Sequence, residues 1–167
     1  MNDSLANISR FILFLMLQLL LFNNIDFMGY LNPFPYVLYI ILFPVNGNKP
    51  TLLVTSFLLG LFLDMFTNSG GVHATASLFL AYVRPSLFKF SFGLSYEYQT
   101  VKIADKITPE RISFLILAIF IHHLVLFLLE FFRLSLIVSV IGRTFLATIF
   151  TFFMCLLIIY LIKPNKR

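Results

Sequence analysis

The sequence predicts an all-α, polytopic integral membrane protein: a bundle of about six transmembrane helices, with both termini cytoplasmic. Three observations predict it. Hydrophobic residues fill 60% of the 167 positions and charged residues 11%, against about 25% charge in an ordinary soluble domain. The apolar residues fall in long runs without strand-like alternation, which argues against a β-barrel. The cations sit at the edges of those runs, where positive charge sets membrane orientation. No polar face is large enough to cover a soluble core, so a single transmembrane domain is expected over 1–167.

The spans fall at about 9–27, 33–45, 50–66, 72–90, 109–132 and 143–162. The first follows Arg10. It lacks a small-residue cleavage site, so it reads as a retained helix rather than a signal peptide. The second is short for a hydrocarbon core of ~30 Å and is bracketed by Pro33, Pro35 and Pro44. Pro50 suits the first turn of the third. Thr108-Pro109-Glu110 opens the fifth with a capping hydroxyl, a first-turn proline and an acid near the positive end of the helix dipole. With six spans, Arg10, Lys49, Lys89, Lys102, Lys106, Arg111, Lys163, Lys166 and Arg167 share one side. Arg133 and Arg143 take the other, and this asymmetry makes the first side cytoplasmic.

The long connection 91–108 carries Lys102, Lys106, Glu97, Asp105, Tyr96 and Tyr98. It reads as a solvated loop with tyrosines at the headgroup boundary, or as a docking surface for a cytoplasmic partner. The net charge of +5 is accounted for by these membrane flanks, so no nucleic-acid partner is expected. The single cysteine, Cys155, excludes an intramolecular disulfide framework.

Ser56, Gly60 and Asp64, four residues apart, form one stripe on the third helix. His73, Ser77 and Ala81 repeat the spacing on the fourth, and Ala147, Thr151 and Cys155 on the sixth. Small residues at this spacing let membrane helices approach closely. The 67–71 link, with Gly70 and Gly71, makes the third and fourth helices antiparallel neighbours, so their stripes should face each other. A carboxylate in hydrocarbon needs a partner or a purpose. Asp64 is read as an acidic fastener of this hairpin, with a protonation or cation site as the functional alternative. Its candidate partners are Ser69, Thr75, Ser77, His73 and the free N–H groups opening the fourth helix. Arg84 is expected to snorkel toward the cytoplasmic face beside Lys89.

His122 and His123 are adjacent, about 100° apart around a helix, and cannot chelate one metal as an i, i+4 pair would. His123 and Glu130 share a face, a spacing that could seed a proton relay. The plainer reading has each histidine bonded across a helix interface and Glu130 paired with Arg133. There is no H-E-x-x-H, G-x-S-x-G, glycine-rich phosphate loop or cysteine pair. The expectation is therefore no enzyme, no catalytic residue, no metal and no cofactor.

The stretch from Asn32 to Pro85 resembles the bacterial rod-shape-determining protein MreD family. The likeness rests on a proline-led short helix (Pro33, Pro35), a basic turn (Asn46 to Lys49) and a Gly-x-x-x-Asp helix end (Gly60, Asp64). A turn closing on Gly71 and a small-residue helix (Ala74, Ala76, Ala81) follow. The chain departs at Gly70, where the family usually has a larger apolar residue. The resemblance implies a non-enzymatic scaffold of the cell-elongation machinery in the bacterial cytoplasmic (inner) membrane. Its implied partners are an MreC-like membrane protein, the RodA/penicillin-binding synthase pair and MreB filaments, all within the lipid bilayer or against it. The rival is the substrate-binding membrane subunit of an energy-coupling-factor vitamin transporter. That family resembles a set with small residues four apart on the first helix, and Phe11 to Leu20 holds no such pair. A third reading is a small proton-coupled carrier using His123 and Glu130.

Overall fold

A computed structural model describes residues 3–25, 31–93, 108–132 and 134–162. Its helices are α1 (Asp3–Leu20), α2 (Val37–Ile41), α3 (Lys49–Thr67), α4 (Val72–Phe92), α5 (Pro109–Phe131) and α6 (Ile137–Ile162). The described residues contain no β-strand. Four stretches are long and apolar enough to cross a membrane: Leu5–Asn24, Lys49–Thr67, Pro109–Phe131 and Ile137–Ile162. The chain is thus a helical membrane protein. Phe66, Phe90, Phe145 and Phe153 are exposed around the bundle, as lipid-facing aromatics are. α4 is as long, at 21 residues, but is diluted by His73, Ser77, Arg84 and Lys89.

Helix ends follow local chemistry. Asn48 and Thr108 hold the N-cap positions of α3 and α5 in extended conformation, with Pro50 and Pro109 in the first turns. Neither makes a side-chain cap bond, so the capping hydroxyl expected of Thr108 does not act on the backbone. Asn68 closes α3 in the left-handed region (φ 53°), and Gly70 and Gly71 follow at φ 69° and 95°. A Cβ at either glycine would meet nothing within 4 Å. Their requirement is therefore backbone conformation, which also explains why position 70 is not a larger residue here.

Helices α3 to α6 pack in sequence order, with α1 against α3. The link 68–71 makes α3 and α4 antiparallel. The ring of Phe88 near the end of α4 lies 4.2 Å from that of Phe114 near the start of α5, so Lys49, Lys89 and Arg111 fall at one end. The turn between α3 and α4 lies at the other.

The second expected span takes a different form. The helix over 33–45 is reduced to the five residues of α2, which at ~1.5 Å rise are far too short to cross a bilayer as a helix. Tyr36 to Ile41 are nearly inaccessible, enclosed by α1, α3, α4 and α5. The flanking segment still runs the length of the hairpin. Phe34 lines a cavity at the α3–α4 turn, whereas Phe43 lines one beside Lys49. Interrupted helix at membrane depth persists only where protein covers it, as here.

Other boundaries shift modestly. α1 begins at Asp3 rather than about residue 9, and α6 at Ile137 rather than about 143. Most of the 91–108 connection, Asp26, Arg133 and the cations Lys163, Lys166 and Arg167 lie outside the described residues.

Helices α3 and α4 approach closely at Gly60. A Cβ there would lie 2.4 Å from the carbonyl oxygen of His73 and 2.5 Å from Ala74 backbone atoms. Backbone cannot yield as a flexible side chain does. Gly60→Ala is expected to lower stability by about 1–3 kcal/mol, read as SDS unfolding of the purified protein. Gly142→Ala on α6, where nothing lies within 4 Å, should be neutral or gain up to ~1 kcal/mol. Equal behaviour of the two variants would contradict the close approach.

Candidate functional site

Two polar clusters occupy the interior, and both begin from unmet backbone groups. The first lies at the α3–α4 turn. A helix start leaves four N–H groups without partners. The N-cap residue of α4 is Gly71, which has no side chain to offer. Asp64 supplies the acceptor from the preceding helix instead. Its Oδ1 accepts from the His73 backbone N–H (3.0 Å), and its Oδ2 from that of Ala74 (2.8 Å). Oδ1 also accepts from Ser69 Oγ (2.5 Å) and from His73 Nδ1 (3.0 Å). Thr67 Oγ1 contacts Ser69 Oγ at 2.8 Å. Asp64 is 6% exposed, so these donors stand in for water around a buried charge. The positive end of the α4 dipole adds to its stabilisation.

The other stripe residues lie buried further along the two helices. Ser56 and Ser77 are inaccessible, and among the described residues neither hydroxyl has a hydrogen-bond partner within normal geometry. Ala81 and Gly60 are buried beside them. The α3 and α4 stripes thus meet through small size and Asp64, and no hydroxyl pairing joins them.

The second cluster surrounds the buried 33–43 segment. Gln18 Nε2 on α1 donates to the Pro33 carbonyl (3.2 Å). The Phe34 N–H donates to Thr151 Oγ1 on α6 (3.1 Å). Tyr36 Oη pairs with His122 Nε2 on α5 (2.8 Å). Arg84 Nη2 on α4 donates to the carbonyls of Ile41 (3.3 Å) and Phe43. Four helices therefore each contribute a polar group that satisfies one broken segment. Arg84 is 5% exposed, with its guanidinium 4.8 Å from the Phe88 ring centroid. The snorkelling expected of it does not occur, because the open carbonyls at the end of α2 draw the side chain inward.

The adjacent histidines separate as their 100° offset requires. His122 faces Tyr36, while His123 uses Nδ1 on the Ile119 carbonyl (2.7 Å) and Nε2 on Thr151 Oγ1 (3.3 Å). His123 is inaccessible and Glu130 is exposed, with no hydrogen bond between them. The structure instead places Glu130 on the same cavity as His73. This cavity has a volume of about 600 Å³ and lies between the α3–α4 turn and the C-terminal end of α5. Sequence reasoning missed the roles of Gln18, Tyr36 and Thr151 around the segment. The polar character of Gln18 within the run Phe11 to Phe22 was the available signal.

Among the described residues no three His, Cys, Asp or Glu side chains gather as a metal site. Cys155 is a buried free thiol. Comparison of the chain with family models, with curated proteins and with solved structures gave no match.

Asp64→Ala leaves two backbone N–H groups and two side-chain donors without their acceptor. The expected loss is about 2–4 kcal/mol in equilibrium unfolding, with Asp64→Asn losing less because one oxygen remains. Wild-type stability of Asp64→Ala would remove its fastening role. Arg84→Met, similar in length, exposes the Ile41 and Phe43 carbonyls within the core. It should cost about 2–3 kcal/mol and speed proteolysis within 42–48, measured by limited digestion in detergent.

Proposed function

We propose that this chain is a non-enzymatic scaffold of the bacterial cell-elongation machinery, acting in the cytoplasmic (inner) membrane as an MreD-like protein. One observation carries the reading. The stretch that resembles MreD, 32–85, folds as one contiguous unit in which its motif residues meet. Gly60 lies against His73 and Ala74, Asp64 holds the start of α4, and the proline-led segment lies within the bundle. A packed unit of this kind suits a protein that holds partners in fixed relation. The buried segment counts as a crossing, giving six, and the Lys49, Lys89 and Arg111 end faces the cytoplasm with both termini. The partners are an MreC-like membrane protein, the RodA/penicillin-binding synthase pair and MreB filaments. Together they direct where new peptidoglycan is inserted.

The cavity at the turn favours a second reading, a substrate-binding membrane subunit of an energy-coupling-factor transporter, because it gathers polar groups at the end opposite the cations. Neighbouring genes separate the two: MreB and MreC genes favour the scaffold, a transport ATPase the transporter. Depletion in the native rod-shaped cell is expected to round the cells before growth stops. Rods of normal width after depletion would overturn the scaffold reading.

A further inference from the structure

We infer that the cavity beside Lys49 binds an anionic phospholipid, its phosphate held between Lys49 and Arg84 and its chains lying against the apolar wall outside. The inference stands apart from the scaffold reading. The cavity lies between the end of the 33–43 segment, the start of α3 and the later turns of α4. Its volume of about 220 Å³ is several times the ~30 Å³ share of one water, so a compact polar head enters and the chains do not. Its described lining holds Lys49 and Arg84, and no Asp or Glu.

Arg84 is fixed at the inner wall. Its guanidinium donates to the Phe43 carbonyl and lies 4.8 Å from the Phe88 ring centroid, and both of those residues border the cavity. The carbonyls that it bonds, on Ile41 and Phe43, are neutral and leave its positive charge in place. Lys49 is exposed at the first position of α3, where the positive end of the helix dipole adds to its own charge. Lys89 and Arg111 lie at the same end of the bundle, with Glu110. The 94–107 stretch, outside the described residues, brings two cations, Lys102 and Lys106, and two acids, Glu97 and Asp105, so it leaves that balance unchanged. Leu52, Leu53, Ala81 and Pro85 make the wall apolar, and Tyr82, 73% exposed, carries it out toward lipid. A soluble anion gains nothing from such a wall, whereas a lipid uses both the cationic seat and the apolar surface leading away from it. Basic pockets between transmembrane helices take anionic headgroups in this way. A zwitterionic lipid carries its own cation and loses most of the attraction.

The test is native mass spectrometry of the purified full chain in neutral detergent, with added phosphatidylglycerol or phosphatidylcholine of the same acyl chains. Phosphatidylglycerol is expected to stay bound and phosphatidylcholine to be lost. Lys49→Gln should cut the retained phosphatidylglycerol by about fivefold or more. Lys89→Gln removes an exposed cation from the same end but outside the described cavity lining, and should leave retention unchanged. Inorganic phosphate in excess, the soluble form of the same anion, should not displace the lipid. Absent retention, equal retention of the two lipids, equal loss in the Lys49 and Lys89 variants, or displacement by phosphate would each overturn the inference.

Discussion

The rest of the structure depends on burying one interrupted stretch of chain, 33–43, at the centre of a membrane bundle. Its prolines prevent a full-length helix; local turns bond most of its backbone, but the Phe34 N–H and the Pro33, Ile41 and Phe43 carbonyls at its two ends are left over. Lipid offers no hydrogen-bond partner to complete the set. The surrounding helices do so: Gln18, Arg84 and Thr151 bond the leftover backbone groups, and His122 bonds the Tyr36 hydroxyl. Gln18, Arg84, His122 and Thr151 come from α1, α4, α5 and α6. Residues that look like candidates for chemistry in isolation are thus first a solvation shell made of protein. Removing any one leaves a polar group without a partner where none can be recruited, so the segment and its shell are expected to form cooperatively.

The α3–α4 hairpin forms the wall against which this segment rests. Gly60 brings the two backbones together, and Asp64 holds the junction by doing what the α4 N-cap residue would ordinarily do. The division of labour is forced by conformation. The chain must turn through left-handed positions at Asn68, Gly70 and Gly71, and glycine is the residue that adopts them at least cost. Glycine at the cap position cannot accept a hydrogen bond through a side chain. The acceptor therefore has to come from elsewhere, and α3 ends where its carboxylate can reach. Turn and buried acid belong to one solution.

Much of this was legible in the sequence. The apolar runs placed five long helices, and the glycine turn with four-residue spacing placed Ser56, Gly60, Asp64, His73 and Ser77 together. The 100° offset of His122 and His123 implied separate partners. What the sequence did not reveal has a common cause. A short apolar run between prolines reads alike whether it faces lipid or lies inside protein, because periodicity vanishes when every side is apolar. The partners of that run lie far away in the chain: Tyr36 meets His122, and Phe34 meets Thr151. Arg84 was misjudged for the same reason. Snorkelling is the favoured course for a lone cation near a helix end. The carbonyls of Ile41 and Phe43 offer a nearer destination that becomes visible only once the segment is known to be interior.

The low hydropathy of α4 follows from its position. Packed against α2, α3 and α5, it is the central helix of the bundle, and its polar side chains have internal tasks. His73 serves Asp64 and Arg84 serves the end of α2, so both stay out of lipid. A helix of this composition enters a membrane poorly alone, since an unpaired arginine at depth costs several kcal/mol, about 2.5–3.5 on insertion scales. Entering beside α3, with the turn between them already closed by Asp64, provides the first of its partners at once. Entry beside the 33–43 segment provides the second. The stretch 41–84 thus holds both buried charged side chains of the described residues, Asp64 and Arg84, together with the groups they bond.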